Sequence, residues 1–287
     1  MKHFFISLTI LVASAFTTLA ATTDSIAYHN HSADTAAIIK ILEATRKAAI
    51  ESPADRLVFV AQQLIGAPYK SATLEGDTEL LRINMSAFDC TTLVETAIAL
   101  SQTAAVDTAS IDEFATNLRN IRYRGGVVDG YASRLHYVSD WIADNTERGN
   151  FAEVTTQFPK PSRDIKTINY MSAHSRNYPA LANSDSLVNC IKEIEAKYNN
   201  YRYHYIQAAI LNADFAMKWF KSGDIVLFTT ATKGLDVSHM GIIVVERGIP
   251  FFIHASTKAR MVVFERQSLY NYVMSNNVIN GVRIVRL

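Results

Sequence analysis

The last third of the chain carries short runs rich in Val, Ile and Phe, and this feature constrains the fold most. Turn residues separate several of these runs, which is the pattern of neighbouring β-strands. The predicted strands cover 224–230, 239–246, 250–254, 261–264 and 282–285. The first two-thirds of the chain shows helical periodicity instead. Because helices and strands occupy separate parts of the sequence, we expect an α+β fold with helices packed on an antiparallel sheet.

Helix-start signals divide the first part of the chain. Ser52 precedes Pro53 and suits the cap of one helix, and Ser110 with Glu113 three residues later forms a capping-box pattern. Asp89 suits the cap of a third helix, which opens at Cys90. The helical patterns cover 34–51, 52–65, 90–100, 110–121, 133–145 and 184–198.

Composition sets the size of the core and excludes some partners. The chain has 287 residues, of which 49% are hydrophobic, so it can bury an ordinary globular core. Its formal net charge is +1. A chain this close to neutrality has no general attraction for nucleic acid or for an anionic membrane surface, so we expect neither as a partner.

The first 20 residues have the layout of a secretory signal peptide. Lys2 gives a positive start, residues 4–19 are mostly apolar, and Ala20 closes a stretch of small residues. A transmembrane helix needs about 20 predominantly apolar residues, and polar residues interrupt this shorter run. We therefore expect cleavage and a mature domain, residues 21–287, in the periplasm or otherwise exported, with no membrane span. An uncleaved anchor is the alternative.

Two cysteines, Cys90 and Cys190, must be interpreted in that exported context. A pair of cysteines in an exported protein first suggests a disulfide. Cys190 lies on an apolar helical face, which predicts a packed thiol. Cys90 lies where a helix begins, and the positive helix end there favours a reactive thiolate. Its immediate sequence leaves a nucleophile and a small buried residue equally open.

Two histidines fall in neighbouring predicted strands. His239 and His254 are fifteen residues apart, so a hairpin loop of even length places both on one face of the sheet. A loop centred between Glu246 and Arg247 would set them directly opposite each other. One imidazole could then take a proton from Cys90 while the other orients it. The alternative is two unrelated histidines at strand ends.

Five short motifs occur in an order that resembles a known family. They are Gly-Ala-Pro-Tyr at 66–69, Phe-Asp-Cys at 88–90, Ser-Gly-Asp-Ile-Val at 222–226, Ser-His-Met-Gly-Ile at 238–242 and Phe-Ile-His-Ala-Ser at 252–256. Together they resemble the NlpC-type, papain-like cell-wall cysteine hydrolases. The resemblance implies one hydrolase domain with a cysteine-headed helix packed on an antiparallel sheet. Its core would cover about 53–102 and 219–287, with a largely helical insertion over about 103–218.

The same resemblance assigns roles to individual residues. It implies Cys90 as the nucleophile, His239 as the general base and His254 as the member that orients the base. It implies that Tyr69 lines the site and helps to hold the substrate carbonyl, with the backbone N–H of Cys90 as the other oxyanion donor. Two further substrate-contacting residues are implied beside the cysteine and the first histidine, Asp89 and Ser238.

A longer branch of the family matches the middle of the chain. Tyr-Arg-Gly-Gly at 123–126 and the stretch 133–141 resemble the NlpC-like N-acetylmuramoyl-L-alanine amidases of Gram-negative, Bacteroides-like bacteria. The implied partners are peptidoglycan fragments (muropeptides), whose carboxylates Arg134 could bind bidentately. The predicted substrate-binding cluster is Arg134, His136, Tyr137, Ser139 and Asp140. The alternative is a helix with an ordinary polar face.

The expected reaction is amide hydrolysis without a metal or organic cofactor, by a monomer. The resemblance favours the bond between N-acetylmuramic acid and L-alanine. A stem-peptide endopeptidase that cuts after D-glutamate and a catalytically silent muropeptide-binding module remain open. A zinc amidase is the least favoured, because His136, His239 and His254 match no compact zinc motif. The tyrosine-rich stretch 198–205 is expected to form a surface loop beside the site.

Overall fold

A computed structural model of the protein describes residues 26–212 and 217–287. The predicted signal peptide, residues 1–20, lies outside the described residues. Within the described ranges, no helix combines the length and apolar character needed to cross a membrane.

Antiparallel strand pairing organises the fold, as the sequence predicts. Strands β3 to β10 of the described chain form one sheet with the order β4-β5-β10-β6-β7-β8-β9, and β3 pairs with β10. A separate parallel pair joins β1 and β2. The strands are β1 Ile26–Tyr28, β2 Leu81–Ile83, β3 Ala152–Glu153, β4 Ser162–Lys166, β5 Tyr201–Gln207, β6 Ile225–Thr230, β7 Val237–Glu246, β8 Ile249–Ser256, β9 Met261–Phe264 and β10 Ile279–Arg286.

Helices cover both faces of this sheet. The first four helices bury an apolar cluster against Leu227, Ile242 and Ile253, while the last helix lies over Phe228 and Phe252 on the other face. Strand β6 is buried along its whole length because of this double cover. The helices are α1 His31–Lys47, α2 Pro53–Gln63, α3 Cys90–Thr103, α4 Ile111–Arg122, α5 Val138–Glu147, α6 Tyr170–Ala173, α7 Pro179–Ala182, α8 Asp185–Ala196 and α9 Leu269–Met274.

The middle of the chain departs from the sequence-based expectation. The stretch predicted as a surface loop forms β5, which lies between β4 and β10. Its alternation buries Tyr203 and Ile206 and exposes Arg202. The helix predicted from residue 133 begins at Val138, because Arg134 bridges to Tyr123 in extended conformation. The region between the cysteine and the histidine strands is therefore part of the sheet as well as helical.

A buried ion pair joins α3 to α4. Arg122 donates from Nε to Glu95 Oε2 at 2.6 Å and from Nη1 to the carbonyl of Arg82 at 2.7 Å. Both side chains are only 2% exposed. Burial raises the pKa of Glu95, and the guanidinium of Arg122 opposes that shift. Each charge therefore depends on the other for compensation.

We expect Arg122→Met to lower the free energy of unfolding by about 3–5 kcal/mol at neutral pH, because it leaves the Glu95 carboxylate buried without its partner. Urea denaturation measures the change. The double variant Glu95→Leu with Arg122→Met should recover most of the loss, since no charge then remains buried. Exposed Arg202→Met is the matched control. A loss no larger for Arg122→Met than for that control would contradict the prediction.

Candidate active site

Cys90 is the first residue of α3, and a capping box holds it there. Asp89 Oδ1 accepts from the backbone N–H of Thr92 at 2.8 Å, and Thr92 Oγ1 accepts from the backbone N–H of Asp89 at 2.9 Å. The half-buried thiol also lies close enough to the backbone of Met240 in β7 for that backbone to lower its pKa. These contacts fix the helix start and press the sulfur against the strand next to His239.

A bulge in β7 lies beside His239. The β6–β7 pairing passes from Phe228 opposite His239 to Thr229 opposite Val237, so Ser238 is an extra residue. Bulges of this kind bend a strand and redirect its side chains. The ring of His239 stacks on Phe228 with centroids 5.6 Å apart.

The β7–β8 hairpin brings the two histidines into contact. The turn of this hairpin is Arg247-Gly248, and its even length keeps both histidine rings on one face of the sheet. The turn lies one residue later in the chain than the position that would set the two histidines directly opposite each other. His254 consequently lies diagonal to His239, opposite Gly241. His239 Nε2 is 2.6 Å from His254 Nδ1, within hydrogen-bond distance.

Glu265 lies on the other side of His254 from His239. It follows β9, and its Oε2 lies 3.5 Å from His254 Nε2. His254 Nε2 is buried and makes no hydrogen bond, so Glu265 is the charged group that it faces. Glu265 is not among the residues predicted from the sequence. Finding it would have required the register between β8 and β9, which no local pattern reveals.

These groups line one open cleft of about 980 Å³, called the Cys90 cleft here. Tyr69 lines the same cleft as Cys90, and its backbone is fixed because its N–H donates to the carbonyl of Arg260 and it bridges to Phe88. The remaining walls come from the β8–β9 turn and from α9 with the residues after it. The lining includes Tyr69, Cys90, Ser238, His239, His254, Lys258, Glu265, Tyr272, Asn276 and Asn277.

Burial keeps the central groups of the cleft neutral. Burial, with the nearby Asp89 carboxylate, raises the pKa of Cys90 to about 12. Burial, followed by repulsion from His254, lowers the pKa of His239 to about 3. Burial lowers the pKa of His254 to about 4 although Glu265 opposes that shift. The expected stabilisation of a thiolate by the helix end is therefore outweighed, and the resting pair is thiol and imidazole.

Asp89 does not line the cleft with its neighbour. Its carboxylate is occupied by the backbone N–H and the hydroxyl of Thr92. Tyr69 and Ser238 do line the cleft. The predicted contact of Asp89 with substrate stays a prediction.

The structure does not bring the predicted cluster of the middle segment to the Cys90 cleft. Its polar groups have internal partners instead: Arg134 with Glu75, His136 with the carbonyl of Tyr131, Tyr137 with Glu195, Ser139 with Arg283, and Asp140 with Arg124 and Tyr198. Four of these five residues are buried, and His136 is half-buried. Their contact with substrate stays a prediction, and what the structure shows is how they tie the middle segment to the sheet.

The second cysteine differs from its prediction. Cys190 is exposed on α8 rather than packed, and both cysteines are free thiols. Across residues 26–212 and 217–287 there is no group of three or more His, Cys, Asp or Glu side chains arranged to hold a metal ion.

Comparison with known proteins identifies the family. The family described as AmiA-like, N-acetylmuramoyl-L-alanine amidase-like, matches residues 59–282, well over half of the chain. The chain belongs to this family. As a member of the amidase-like family, it is an amidase-like cell-wall hydrolase. No curated protein matches the chain.

Solved structures agree with that membership. An N-acetylmuramoyl-L-alanine amidase from Bacteroides uniformis is 38% identical, with 82% of this chain and 98% of that chain covered and a TM-score of 0.77. A candidate xylanase from Bacteroides fragilis is also 38% identical, covering 79% and 98% of the two chains with a TM-score of 0.75. A Legionella pneumophila protein, 21% identical over 90% and 96% of the chains with a TM-score of 0.68, shows the shared fold alone.

Gly241 makes room for the histidine pair in this amidase-like protein. A Cβ at this position would lie 2.8 Å from the carbonyl oxygen of Ile253 and 3.3 Å from His254 Cβ. We expect Gly241→Ala to cost about 1–3 kcal/mol of stability through overpacking and to displace His254. Urea denaturation and a crystal structure of the variant measure both effects. Gly76→Ala is the control, since a Cβ there meets the flexible end of Arg82. Equal stability of the two variants would contradict the prediction.

Proposed function

We propose that the protein is a cysteine-dependent N-acetylmuramoyl-L-alanine amidase that cleaves muropeptides with Cys90, His239 and His254. The observation that carries the proposal is the convergence of a cysteine at a helix start with a 2.6 Å histidine pair in one cleft. Family membership and the Bacteroides uniformis amidase support the choice of bond. A cysteine-headed helix against strands that carry the histidines is also the arrangement expected of a papain-like, NlpC-type core.

The proposed reaction begins with an uncharged Cys90 thiol and an uncharged His239 imidazole. His239 takes the proton of the Cys90 thiol while the sulfur forms a bond to the lactyl carbonyl carbon. The C–N bond then breaks, and His239 returns the proton to the amino group of L-alanine as it leaves. Water attacks the thioester with His239 again as the base, which releases the lactyl carboxylate and restores the thiol. His254 holds the imidazole of His239 through these proton transfers.

Tyr69 and the backbone of Cys90 supply the charge stabilisation. Burial and the nearby Cys90 raise the pKa of Tyr69, so its phenol stays protonated and can donate to the developing oxyanion. The N–H of Cys90 lies in the first turn of α3, where helix N–H groups have no partner within the helix. Both donors border the cleft into which the substrate carbonyl would enter.

The cleft chemistry favours amide cleavage over sugar hydrolysis. Glycoside hydrolases use a pair of carboxylic acids on either side of the bond. The described lining of the Cys90 cleft includes one carboxylate, Glu265, and that group faces His254. Exposed Lys258 at the rim suits the carboxylates of a stem peptide. The proposal therefore assigns a peptide-bearing fragment rather than xylan.

The organisation of the chain is part of the proposal. Residues 1–20 would be removed as a signal peptide, and residues 21–287 would act as a single monomeric domain in the periplasm or otherwise outside the cytoplasm. A function at the cell wall requires such export. No metal or cofactor takes part in the proposed steps.

We expect Cys90→Ala to reduce cleavage of a defined muropeptide by at least about 1,000-fold, because the acyl-enzyme can no longer form. Cys190→Ala, which removes the exposed thiol, is the matched control and should keep wild-type activity. Mass spectrometry of the products identifies the bond. A free sugar and a peptide that begins with L-alanine support the amidase, whereas a sugar–dipeptide would show a D-glutamyl endopeptidase. Full cleavage by Cys90→Ala would refute the cysteine mechanism.

We also expect the acid limb of kcat/KM to lie well below the ordinary histidine pKa of 6.5, because burial lowers the pKa of His239 to about 3. The base must be unprotonated, so a lowered pKa keeps it competent as the pH falls. A pH–rate profile measures the limb, and circular dichroism at each pH separates it from unfolding. An acid limb at or above pH 6.5 with the fold intact would contradict this expectation.

A further inference from the structure

Three side chains form a diagonal row across the ends of β7, β8 and the segment after β9. His239 lies diagonal to His254, as the hairpin register requires. Phe264 pairs with Ile253, and the backbone N–H of Glu265 donates to the carbonyl of Phe252 at 2.8 Å. Phe252 and His254 share a face because they are two residues apart on one strand. Glu265 therefore lies diagonal to His254 on that same face.

The carboxylate of Glu265 is held with one oxygen free for His254. Its Oε1 accepts a hydrogen bond from the backbone N–H of Gln267 at 3.0 Å, and its Oε2 points to His254 Nε2 at 3.5 Å. That nitrogen is buried without a hydrogen bond. At 3.5 Å the Glu265 carboxylate lies at the outer limit of hydrogen-bond distance from this neutral imidazole nitrogen.

This arrangement determines which ring nitrogens carry protons. A carboxylate only accepts, so His254 must carry its proton on Nε2, and its Nδ1 then accepts. His239 Nε2, which is 2.6 Å away, must therefore donate to His254 Nδ1. A neutral His239 that is protonated on Nε2 has a free lone pair on Nδ1. That lone pair is what a base for the Cys90 thiol requires.

We propose that Glu265 is a positioning residue that sets the tautomer of His254 and, through His254, leaves Nδ1 of His239 free to take the proton of Cys90. The inference rests on the proposed function for its catalytic consequence. The tautomer assignment does not depend on the proposed function, because the tautomers are a property of the resting protein. Glu265 acts through two histidines and need not touch the substrate.

Other titratable groups near the row do not replace Glu265. Tyr272 of α9 lies with its ring centroid 5.6 Å from that of His254, and burial raises its pKa to about 12, so it stays neutral. Cys90 faces the row from α3, and Asp89 beside it is occupied in the capping box. Lys258 lines the same cleft from the β8–β9 turn and has the wrong charge to accept a proton.

The isosteric substitution Glu265→Gln is expected to reverse the tautomers of both histidines. In Glu265→Gln, the side-chain oxygen is required by the N–H of Gln267, so the amide NH₂ faces His254 Nε2. His254 must then accept at Nε2 and carry its proton on Nδ1. His239 must in turn accept at Nε2 and carry its proton on Nδ1, which removes the free lone pair that the proposed base needs. The variant therefore preserves shape while it inverts both tautomers.

The test is ¹⁵N-histidine NMR of the purified protein at neutral pH together with steady-state kinetics on a muropeptide. Wild type should show His239 and His254 protonated on Nε2, and Glu265→Gln should show both protonated on Nδ1. We expect kcat to fall about 100-fold or more with little change in KM, since the general base is lost. Exposed Glu246→Gln is the matched control and should match wild type in both measurements.

Glu265→Ala provides a second route if the glutamine variant folds poorly. Added acetate or formate should restore part of its kcat, because a small carboxylate can occupy the vacated position beside His254. Wild-type histidines protonated on Nδ1, unchanged tautomers in Glu265→Gln, or wild-type kcat in that variant would each overturn the proposal. Full cleavage by Cys90→Ala would instead refute the cysteine mechanism and leave the tautomer assignment standing.

Discussion

The register between β7 and β8 is the constraint on which the site depends. It is set by the Arg247-Gly248 turn, in which both residues have positive φ, 51° and 81°. Two-residue turns of this kind match the right-handed twist of the strands they join. Because side chains alternate along a strand, a slip of one residue would move His254 to the opposite face. A turn at the far end of the hairpin therefore decides whether the histidines meet.

The start of α3 forms the other half of the site, and opposing electrostatic effects act there on the pKa of Cys90. The helix end and the Met240 backbone favour a thiolate at Cys90, whereas burial and the Asp89 cap disfavour it. Burial and the cap prevail, so the nucleophile is created only when a neighbouring base accepts its proton. This makes the orientation of His239 more important than it would be beside a cysteine that is already ionised.

Much of this could be predicted from the sequence, and the exceptions have physical reasons. The strands of the last third were recognisable because their buried residues are Val, Ile and Phe. Strand β5 was not, because its alternating Tyr, Arg and His residues resemble a polar loop and its partners are distant in sequence. The spacing of His239 and His254 predicts that they share a face if the loop has even length, but their diagonal offset depends on the exact position of the turn, which the spacing does not specify. Glu265 depends on a second register across a separate turn, which local patterns do not specify.

The polar cluster of the middle segment shows how a binding signature and a structural one can look alike. An arginine that can bind a carboxylate bidentately could bind a carboxylate of a ligand, but it could equally form an ion pair with a carboxylate of the protein itself. Here Arg283 of β10, which is 1% exposed, donates to Ser139 Oγ at 2.9 Å and pairs with Glu153. Since β5 also joins β10, the middle segment is held by strand pairing and by buried charge together. It acts on the Cys90 cleft by fixing the sheet from which the histidines project.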